Sequence, residues 1–282
     1  TSKFDLIVIG AGPGGYVGAI RAAQLGMTVA CIDKRPTLGG TCLNVGCIPS
    51  KALLNASEHF AAAASGGLAD IGIGVGKVAL DLPRMMQSKQ DIVGNLTVGI
   101  DFLFKKNKIT RLEGSARITA PGAVTITDGK DKGSYQADRI MIATGSHASS
   151  LPGITINEKR IVSSTGALSL DTVPKKMVVI GAGYIGLELG TVWARLGAAV
   201  EVIEYLPRIL PGMDSEVAKK FMAIAKKQGL NFRLSTAVKA AKAGKNNVSL
   251  TVAPADGGDE ATITADIALV SVGRHPATDG LG

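Results

Sequence analysis

Two cysteines separated by four residues are the first feature of the sequence that could do chemistry. Between Cys42 and Cys47, Gly46 gives the backbone freedom to fold one cysteine back toward the other. A disulfide requires the two α-carbons to come within about 4.4–6.8 Å of each other. Pro49 suits the first turn of a helix, whose N-terminus stabilises a thiolate, and Lys51 adds positive charge one turn later. This pattern predicts a redox-active disulfide.

Two other uses of these cysteines fit the sequence less well. A zinc site would need a CxxC pair with further ligands, and the three histidines (His59, His147, His275) are distant in sequence. A structural disulfide would be unusual in an intracellular protein, and three cysteines do not make a secreted disulfide framework. Cys31 lies in an apolar run and is predicted to be a core residue.

A glycine-rich turn precedes the cysteine pair and suits a dinucleotide. In the pattern strand, turn, helix, strand, Gly10 permits the tight turn, Gly12 lets the backbone approach a pyrophosphate, and Gly15 allows close packing of helix on strand. A diphosphate would then lie on the amides at the helix N-terminus. Asp33 ends the next strand, 18 residues after Gly15, where its carboxylate can accept hydrogen bonds from ribose hydroxyls.

The same plan recurs about 170 residues later in the chain. Gly181, Gly183 and Gly186 form the second turn, and Glu204 follows 18 residues after the last of them. A carboxylate there repels the 2′-phosphate of NADP, so the sequence favours NAD. Arg208 stands four residues further on and is interpreted as a surface residue. Two such units in one chain predict an α/β fold with two nucleotide-binding domains.

Composition and the periodicity of apolar residues exclude some functions and predict the remaining helices and strands. The net charge of +8 arises from dispersed short pairs of basic residues, and aromatic residues are only 4%, so nucleic-acid binding is not favoured. No uncharged run of 18 apolar residues occurs, which excludes a membrane span, and we expect no signal or transit segment on the chain. Helical spacing of apolar residues predicts a helix over 82–107 and another over 215–228. Short strands are predicted at 109–118, 123–126, 136–143, 231–234, 248–252 and 267–272.

The segment around the cysteines, Gly-Gly-Thr-Cys-Leu-Asn-Val-Gly-Cys-Ile-Pro-Ser-Lys-Ala-Leu-Leu at 39–54, resembles the active-site signature of the dihydrolipoamide dehydrogenases. These are class I pyridine nucleotide-disulfide oxidoreductases that serve the 2-oxo acid dehydrogenase complexes and the glycine cleavage system. The likeness continues through 143–146, 162–167, 179–188 and 271–274, so it covers essentially the whole chain.

The resemblance implies two Rossmann-like dinucleotide-binding domains, one for FAD and one for NAD. FAD would be bound by Gly10, Gly12, Pro13, Gly14, Gly15, Asp33, Lys34, Gly40, Thr41, Cys42, Lys51, Gly114, Thr144, Gly145 and Ser146. NAD would be bound by Gly181, Gly183, Tyr184, Ile185, Gly186, Glu188, Glu204, Val238 and Gly273. No metal is implied.

The resemblance also assigns chemical roles. Cys42 would be the interchange thiol that attacks and releases the substrate sulfur, and Cys47 would face the flavin as the charge-transfer thiolate. Lys51 and Glu188 would pair near the flavin atom at which hydride passes. The substrate would be dihydrolipoamide on a lipoyl-carrier protein, the acceptor NAD⁺, the full-length protein a homodimer, and the compartment a mitochondrial matrix or bacterial cytoplasm.

The family's chain is longer than this one, so we expect residues 1–150 to form the FAD domain and 151–275 the NAD domain. Residues 276–282 would begin the return to the FAD domain, and the C-terminal interface domain, with its catalytic His–Glu pair and the Gly-Asp element that holds FAD, would be absent. The chain alone is therefore expected to be inactive or impaired, and His275 is interpreted as part of a surface turn. Glutathione reductase, mercuric reductase and a non-catalytic fragment remain alternatives.

Overall fold

In the computed structural model, which describes residues 3–282, strands and helices alternate along the chain. The strands are β1 (Lys3–Ile9), β2 (Val29–Asp33), β3 (Thr110–Glu113), β4 (Ala116–Ala120), β5 (Ala123–Ile126), β6 (Gly133–Ile142), β7 (Ser146–Ala148), β8 (Ile161–Val162), β9 (Lys176–Ile180), β10 (Ala199–Ile203), β11 (Leu230–Arg233), β12 (Thr236–Ala243), β13 (Val248–Pro254), β14 (Ala261–Ala265), β15 (Ile267–Val270) and β16 (Arg274–Pro276). The helices are α1 (Pro13–Gln24), α2 (Gly40–Val45), α3 (Cys47–Ala64), α4 (Leu82–Lys106), α5 (Ser164–Ala167), α6 (Tyr184–Arg195) and α7 (Ser215–Lys227), with a 3₁₀ turn at Ala69–Ile71.

The chain divides into two compact units. Of the described residues, 3–49, 90–147 and 275–282 form the first unit, and 50–89 and 148–274 form the second. The predicted boundary at 150 placed residues 50–89 in the first domain, whereas they group with the second unit. The reason is packing, because Leu53 and Leu82 are buried in the same apolar cluster as Leu187 and Trp193. Binding of FAD by one unit and of NAD by the other stays a prediction.

The first unit is built on a sheet of strand order β3-β2-β1-β6-β5-β4. Its first four strands are parallel, and β5 and β4 continue it as an antiparallel meander. Apolar residues on β1 alternate between two faces: Val8 packs with the cluster that includes Ala19 of α1 and Phe104 of α4, whereas Ile7 and Ile9 pack with the meander. A run buried on both faces is typical of a central parallel strand.

The second unit contains a parallel sheet of order β11-β10-β9-β15-β8 and a separate antiparallel sheet, β12-β13-β14. On β9, Met177 and Val179 face the cluster around the buried Trp193, and Val178 and Ile180 face the opposite cluster. Trp193 donates its indole N–H to the Ala167 carbonyl at 3.0 Å, which satisfies its polar atom in the core.

The predicted α/β class with two parallel nucleotide-type sheets is confirmed. The predicted strand region 109–118 is interrupted at Gly114, which is buried at φ +154°, so that β3 joins the parallel strands and β4 the meander. Strands β12 and β14 were not predicted. His275 lies in the short strand β16, which pairs with β7, and not in a turn.

Candidate redox and dinucleotide site

The two cysteines lie on successive helices of the first unit. Cys42 is half-buried in α2, and Cys47 is exposed as the first residue of α3. Gly46 joins the helices at φ −142° and ψ −113°, and a Cβ atom there would lie 2.9 Å from the Thr41 carbonyl oxygen and 3.3 Å from the Cys42 α-carbon. The backbone therefore returns against Cys42 before it reaches Cys47. The pair lies near disulfide distance, and both residues are thiols in this structure.

Helix α2 is packed directly on the first glycine turn. The amide of Gly39 donates to the Ala11 carbonyl at 2.9 Å, and a Cβ on Gly40 would lie 2.5 Å from the Gly12 α-carbon. Asn44 closes the other side of the helix by donating to the carbonyls of Leu38 and Gly40. The cysteine helix and the turn therefore form one continuous piece of backbone packing.

The first turn itself is too crowded for any side chain at two of its glycines. At φ +103°, a Cβ on Gly10 would clash with the Ala143 carbonyl oxygen, and a Cβ on Gly15 would clash with the Gly10 carbonyl oxygen. Gly12 caps α1, Pro13 is its first residue, and Gly14 is exposed with open space around it. The amides of the first turn of α1 therefore stand free of side chains, as an approaching phosphate requires.

The other predicted FAD residues of the first unit lie at the same edge of the sheet. Asp33 accepts hydrogen bonds from the amides of Ala11 (2.7 Å) and Arg35 (2.8 Å), and its own carbonyl accepts from Gly114 (3.0 Å). Thr144 follows β6, and its α-carbon would lie 3.1 Å from a Cβ on Gly10. Three more predicted residues, Lys34, Gly145 and Ser146, follow the ends of β2 and β6.

The second turn repeats this arrangement in the second unit. Gly181, at φ +99°, would place a Cβ 2.7 Å from the Ser271 carbonyl oxygen, and a Cβ on Gly186 would clash with the Gly181 carbonyl oxygen. Gly183 caps α6 and has open space around it, Tyr184 is exposed, and Ile185 is half-buried. This is the second site suited to a dinucleotide phosphate.

Glu204 holds the second turn as Asp33 holds the first. Its carboxylate accepts from the amides of Ala182 (2.7 Å) and Leu206 (2.9 Å). Gly273 is exposed shortly after the carboxyl end of β15, whereas Val238 lies on β12 and packs against the apolar cluster that contains Val178 and Ile180. The sequence placed both near the second turn on resemblance alone.

Arg208 differs from its interpretation as a surface residue. It is half-buried, its guanidinium donates to the carbonyls of Leu210 and Met213, and its Nε atom is buried without a hydrogen-bond partner in the described structure. The side chain is therefore committed to the loop after β10, where it donates to two backbone carbonyls.

A cluster of three polar side chains lies in the second unit. Lys51 donates to both carboxylate oxygens of Glu188, at 2.7 and 2.8 Å, so the pair implied by the resemblance is present. Ser50 is buried and donates its hydroxyl to Glu188 Oε2 at 2.7 Å. Sequence reasoning missed Ser50. The only signal was its place between Pro49 and Lys51 in the first turn of a helix.

Cys31 shows how a thiol behaves without such surroundings. It is 1% exposed on β2, and burial raises its pKa to about 12, with the charge of Asp33 adding to the shift. The predicted core role of Cys31 is thus consistent with a thiol that stays protonated and unreactive at neutral pH.

Comparison with known proteins decides the family. The family described as "Pyridine nucleotide-disulphide oxidoreductase" matches residues 4–282. The chain belongs to this family. It is 53% identical to Dihydrolipoyl dehydrogenase 3 of Pseudomonas aeruginosa over 99% of this chain and 60% of the relative, and 52% identical to the mitochondrial Dihydrolipoyl dehydrogenase 1 of Arabidopsis thaliana over 98% and 55%. The resemblance stated from the sequence is confirmed.

Among solved structures, the family fold is matched by the Cu(II) complex of the HOCl-induced flavoprotein disulfide reductase RclA from Escherichia coli. The TM-score is 0.83 at 26% identity, over 100% of this chain and 59% of that chain. The chain thus spans about 55–60% of the length of these relatives. Within residues 3–282, no helix is long and apolar enough to cross a membrane, and no group of three or more metal-ligating side chains occurs.

Proposed function

We propose that this chain carries the nucleotide sites and the redox disulfide of a flavoprotein that oxidises dihydrolipoamide to lipoamide with NAD⁺ as acceptor. The observation that carries the proposal is the packing of the cysteine helix on a dinucleotide turn. Gly40 approaches Gly12 so closely that only glycine fits, which leaves Cys42 and Cys47 beside a nucleotide held on α1. The names of the relatives supply the substrate, dihydrolipoamide.

The first turn fits FAD by its backbone. The amides at the start of α1 are free of side chains, and Asp33 retains lone pairs for ribose hydroxyls beyond its two amide donors. Lys34, Gly40, Thr41, Cys42, Lys51, Gly114 and the segment 144–146 complete the predicted set. FAD, when bound, would pass an electron pair between the thiols and the nicotinamide nucleotide.

The second turn suits NAD because of the carboxylate that follows it. Glu204 places a carboxylate where the second phosphate of NADP would otherwise lie, and each carboxylate oxygen still has a lone pair after accepting from a backbone amide. Arg208, the cation that could reverse this preference, is occupied by loop carbonyls. NAD is therefore the favoured nucleotide.

The thiol chemistry follows from the different positions of the two cysteines. A substrate thiolate attacks Cys42 Sγ within the disulfide, and the electron pair of the broken S–S bond leaves on Cys47 Sγ. The second substrate thiolate then attacks its own sulfur in this mixed disulfide and expels Cys42 as a thiolate. Lipoamide is released, the protein has gained two electrons, and the dithiol remains.

The polar cluster of the second unit would fix the position of a positive charge. Glu188 fixes the ammonium of Lys51 through both carboxylate oxygens, and Ser50 fixes Glu188. A charge-assisted pair with a third donor is restricted in geometry. We assign Lys51 and Glu188 the catalytic positions that the resemblance implies, with Ser50 as a positioning residue.

The proposal extends to the setting of the whole protein. We infer a lipoyl-carrier protein as the substrate's bearer, 2-oxo acid dehydrogenase and glycine cleavage complexes as partners, and a homodimer of the full-length protein. A mitochondrial matrix or a bacterial cytoplasm is the proposed compartment, supported by relatives from mitochondria and from Pseudomonas.

The experiment measures how many cysteine thiols NADH releases from the disulfide, because this reaction involves only residues that the chain contains. The disulfide is formed by mild oxidation, FAD is added, and NADH is supplied without oxygen before alkylation and mass spectrometry. We expect Cys42 and Cys47 to become alkylated with NADH, and with NADPH to react at least about tenfold more slowly because of Glu204.

Cys31 is the internal reference, since it should stay unlabelled until the protein is unfolded. In a Cys47→Ser variant, NADH should release no additional thiol, because no disulfide can form. Equal rates with NADH and NADPH would contradict the nucleotide assignment. Labelling of Cys42 and Cys47 that does not depend on a nucleotide would contradict the proposed function.

A further inference from the structure

We propose that His147 and His275 form a binding site for one divalent transition-metal ion. The two imidazole rings have their centroids 5.8 Å apart with an angle of 49° between their planes. Both side chains are exposed, and both belong to the first unit. The site is separate from the redox thiols and does not depend on the proposed function.

The backbone holds the two histidines in register. The amide of Ser149 donates to the Gly273 carbonyl at 3.0 Å, and the amide of Ala277 donates to the Gly145 carbonyl at 3.0 Å. These bonds run between β7 and β16 in the antiparallel sense and flank the two histidines, which stand directly opposite each other midway between them. Directly opposed residues have Cβ atoms about 4.5–5.5 Å apart on one face of the strand pair.

The ring separation is close to that of a chelating pair. With metal–nitrogen bonds near 2.0 Å, two imidazoles bound to one ion at a right angle have centroids about 4.5–5 Å apart. The observed 5.8 Å needs a closure of about 1 Å, which exposed side chains reach by small rotations. No backbone movement is required.

The positively charged residue next to the pair in sequence does not share its face. Arg274 precedes His275 on the same strand, and successive side chains on a strand point to opposite faces, so its side chain lies away from the imidazole face. With two nitrogen ligands from the protein, water would complete the coordination. Imidazole ligands suit Cu²⁺, Ni²⁺ and Zn²⁺, and Cu²⁺ binds tightest in this series.

The test uses Cu²⁺ alone, added to the chain with both Cys42→Ser and Cys47→Ser, which removes the thiols as competing ligands. Electron paramagnetic resonance counts the nitrogens bound to copper. We expect one ion per chain with two imidazole nitrogens. His147→Ala and His275→Ala should each weaken binding at least about tenfold and leave one nitrogen, because the chelate is lost.

His59→Ala is the matched control, because His59 is also exposed but is the one histidine of α3. It should leave copper affinity and the nitrogen count unchanged. His147→Gln repeats the test with a polar side chain, and thermal unfolding checks that each variant is folded. Parent-like affinity in either His147 variant, or loss of binding in His59→Ala, would overturn the proposal.

Discussion

The two glycine turns are built on one plan with a constant offset of 171 residues, yet only the first carries thiols. Gly10 corresponds to Gly181, and Asp33 to Glu204. In each turn the acidic side chain accepts hydrogen bonds from two backbone amides. A Cβ on the first glycine of either turn would lie too close to a neighbouring backbone carbonyl oxygen, that of Ala143 or that of Ser271. Even the last shared contact is repeated, since Gly39 donates to Ala11 and Leu210 donates to Ala182.

The copies diverge directly after this contact. In the first, Gly40 opens the cysteine helix against the turn, whereas in the second Pro211 leads to Asp214, which caps α7 by accepting from two amides. A second difference lies on the helices, where Glu188 with its serine and lysine partners corresponds to the exposed Val17. A common nucleotide frame thus acquires different chemistry from the residues attached to it.

We expect the largest effect from an alanine substitution at the last glycine of either turn. Gly15→Ala and Gly186→Ala each drive a methyl group into a backbone carbonyl, and we expect each to lower the free energy of unfolding by more than about 3 kcal/mol. If the copies serve different nucleotides, Gly15→Ala should abolish FAD binding and Gly186→Ala should abolish NAD binding. Denaturant unfolding and nucleotide titration measure both.

Gly14→Ala is the control for stability, because a Cβ there meets open space and the second copy has Ile185 at this position. Its unfolding free energy should stay within about 0.5 kcal/mol of the parent. Loss of FAD binding in both Gly15→Ala and Gly186→Ala, with both variants folded, would break the distinction between the copies.

A smaller effect is expected at Ser50, which donates its hydroxyl to Glu188 of the second copy. Ser50→Ala removes the hydroxyl that donates to Glu188, and we expect a loss of about 2 kcal/mol in unfolding free energy. The NADH-dependent release of thiols should slow, with kcat falling more than KM changes, and Ser50→Thr should restore part of the rate.

Ser57→Ala is the matched control on the same helix, since Ser57 is fully buried but donates to the Leu54 carbonyl. It should affect stability and leave the thiol-release rate of the folded protein unchanged. Equal slowing in both variants would assign Ser50 a purely structural role.

The smallest effect concerns Cys31, whose counterpart in the second copy is Val202. Burial raises the pKa of the Cys31 thiol from 9.0 to about 12, so the folded state keeps a proton that the unfolded state loses. The contribution of the Cys31 thiol to the free energy of unfolding is therefore fully present below pH 9 and is lost as the pH rises from 9 toward 12. At pH 10 the loss should be about 1.4 kcal/mol relative to pH 8.

Cys31→Val copies the second unit and should remove this component of the pH dependence, as measured by denaturant unfolding at pH 8 and 10. An unchanged slope in the variant would show that other groups cause the alkaline loss.

The sequence was sufficient for the turns because their chemistry is local. Glycine spacing, the acidic residue 18 positions later and the buried strands specify the carboxyl edge of each sheet, and the structure places Gly10, Asp33 and Gly114 there together. Strand β12, with the sequence Thr-Ala-Val-Lys-Ala-Ala-Lys-Ala, was missed because its residues have little strand preference, and pairing with β13 decides its conformation.

Contacts between distant segments were equally hidden. The hydrogen bond from Ser50 to Glu188 spans 138 residues and has no periodic signal. The pairing of His147 with His275 depends on a short two-stranded sheet formed by segments far apart in the chain. The grouping of residues 50–89 with the second unit likewise depends on where Leu53 and Leu82 pack.

The visible absorption spectrum of the FAD-loaded chain, before and after anaerobic addition of dihydrolipoamide, tests most directly whether the cysteines and the first turn form one site. We predict a yellow protein that gains long-wavelength absorbance from a thiolate beside the flavin, and no such gain in Cys47→Ser. A chain that stays colourless with excess FAD, or a spectrum that dihydrolipoamide changes equally in Cys47→Ser, would contradict the account.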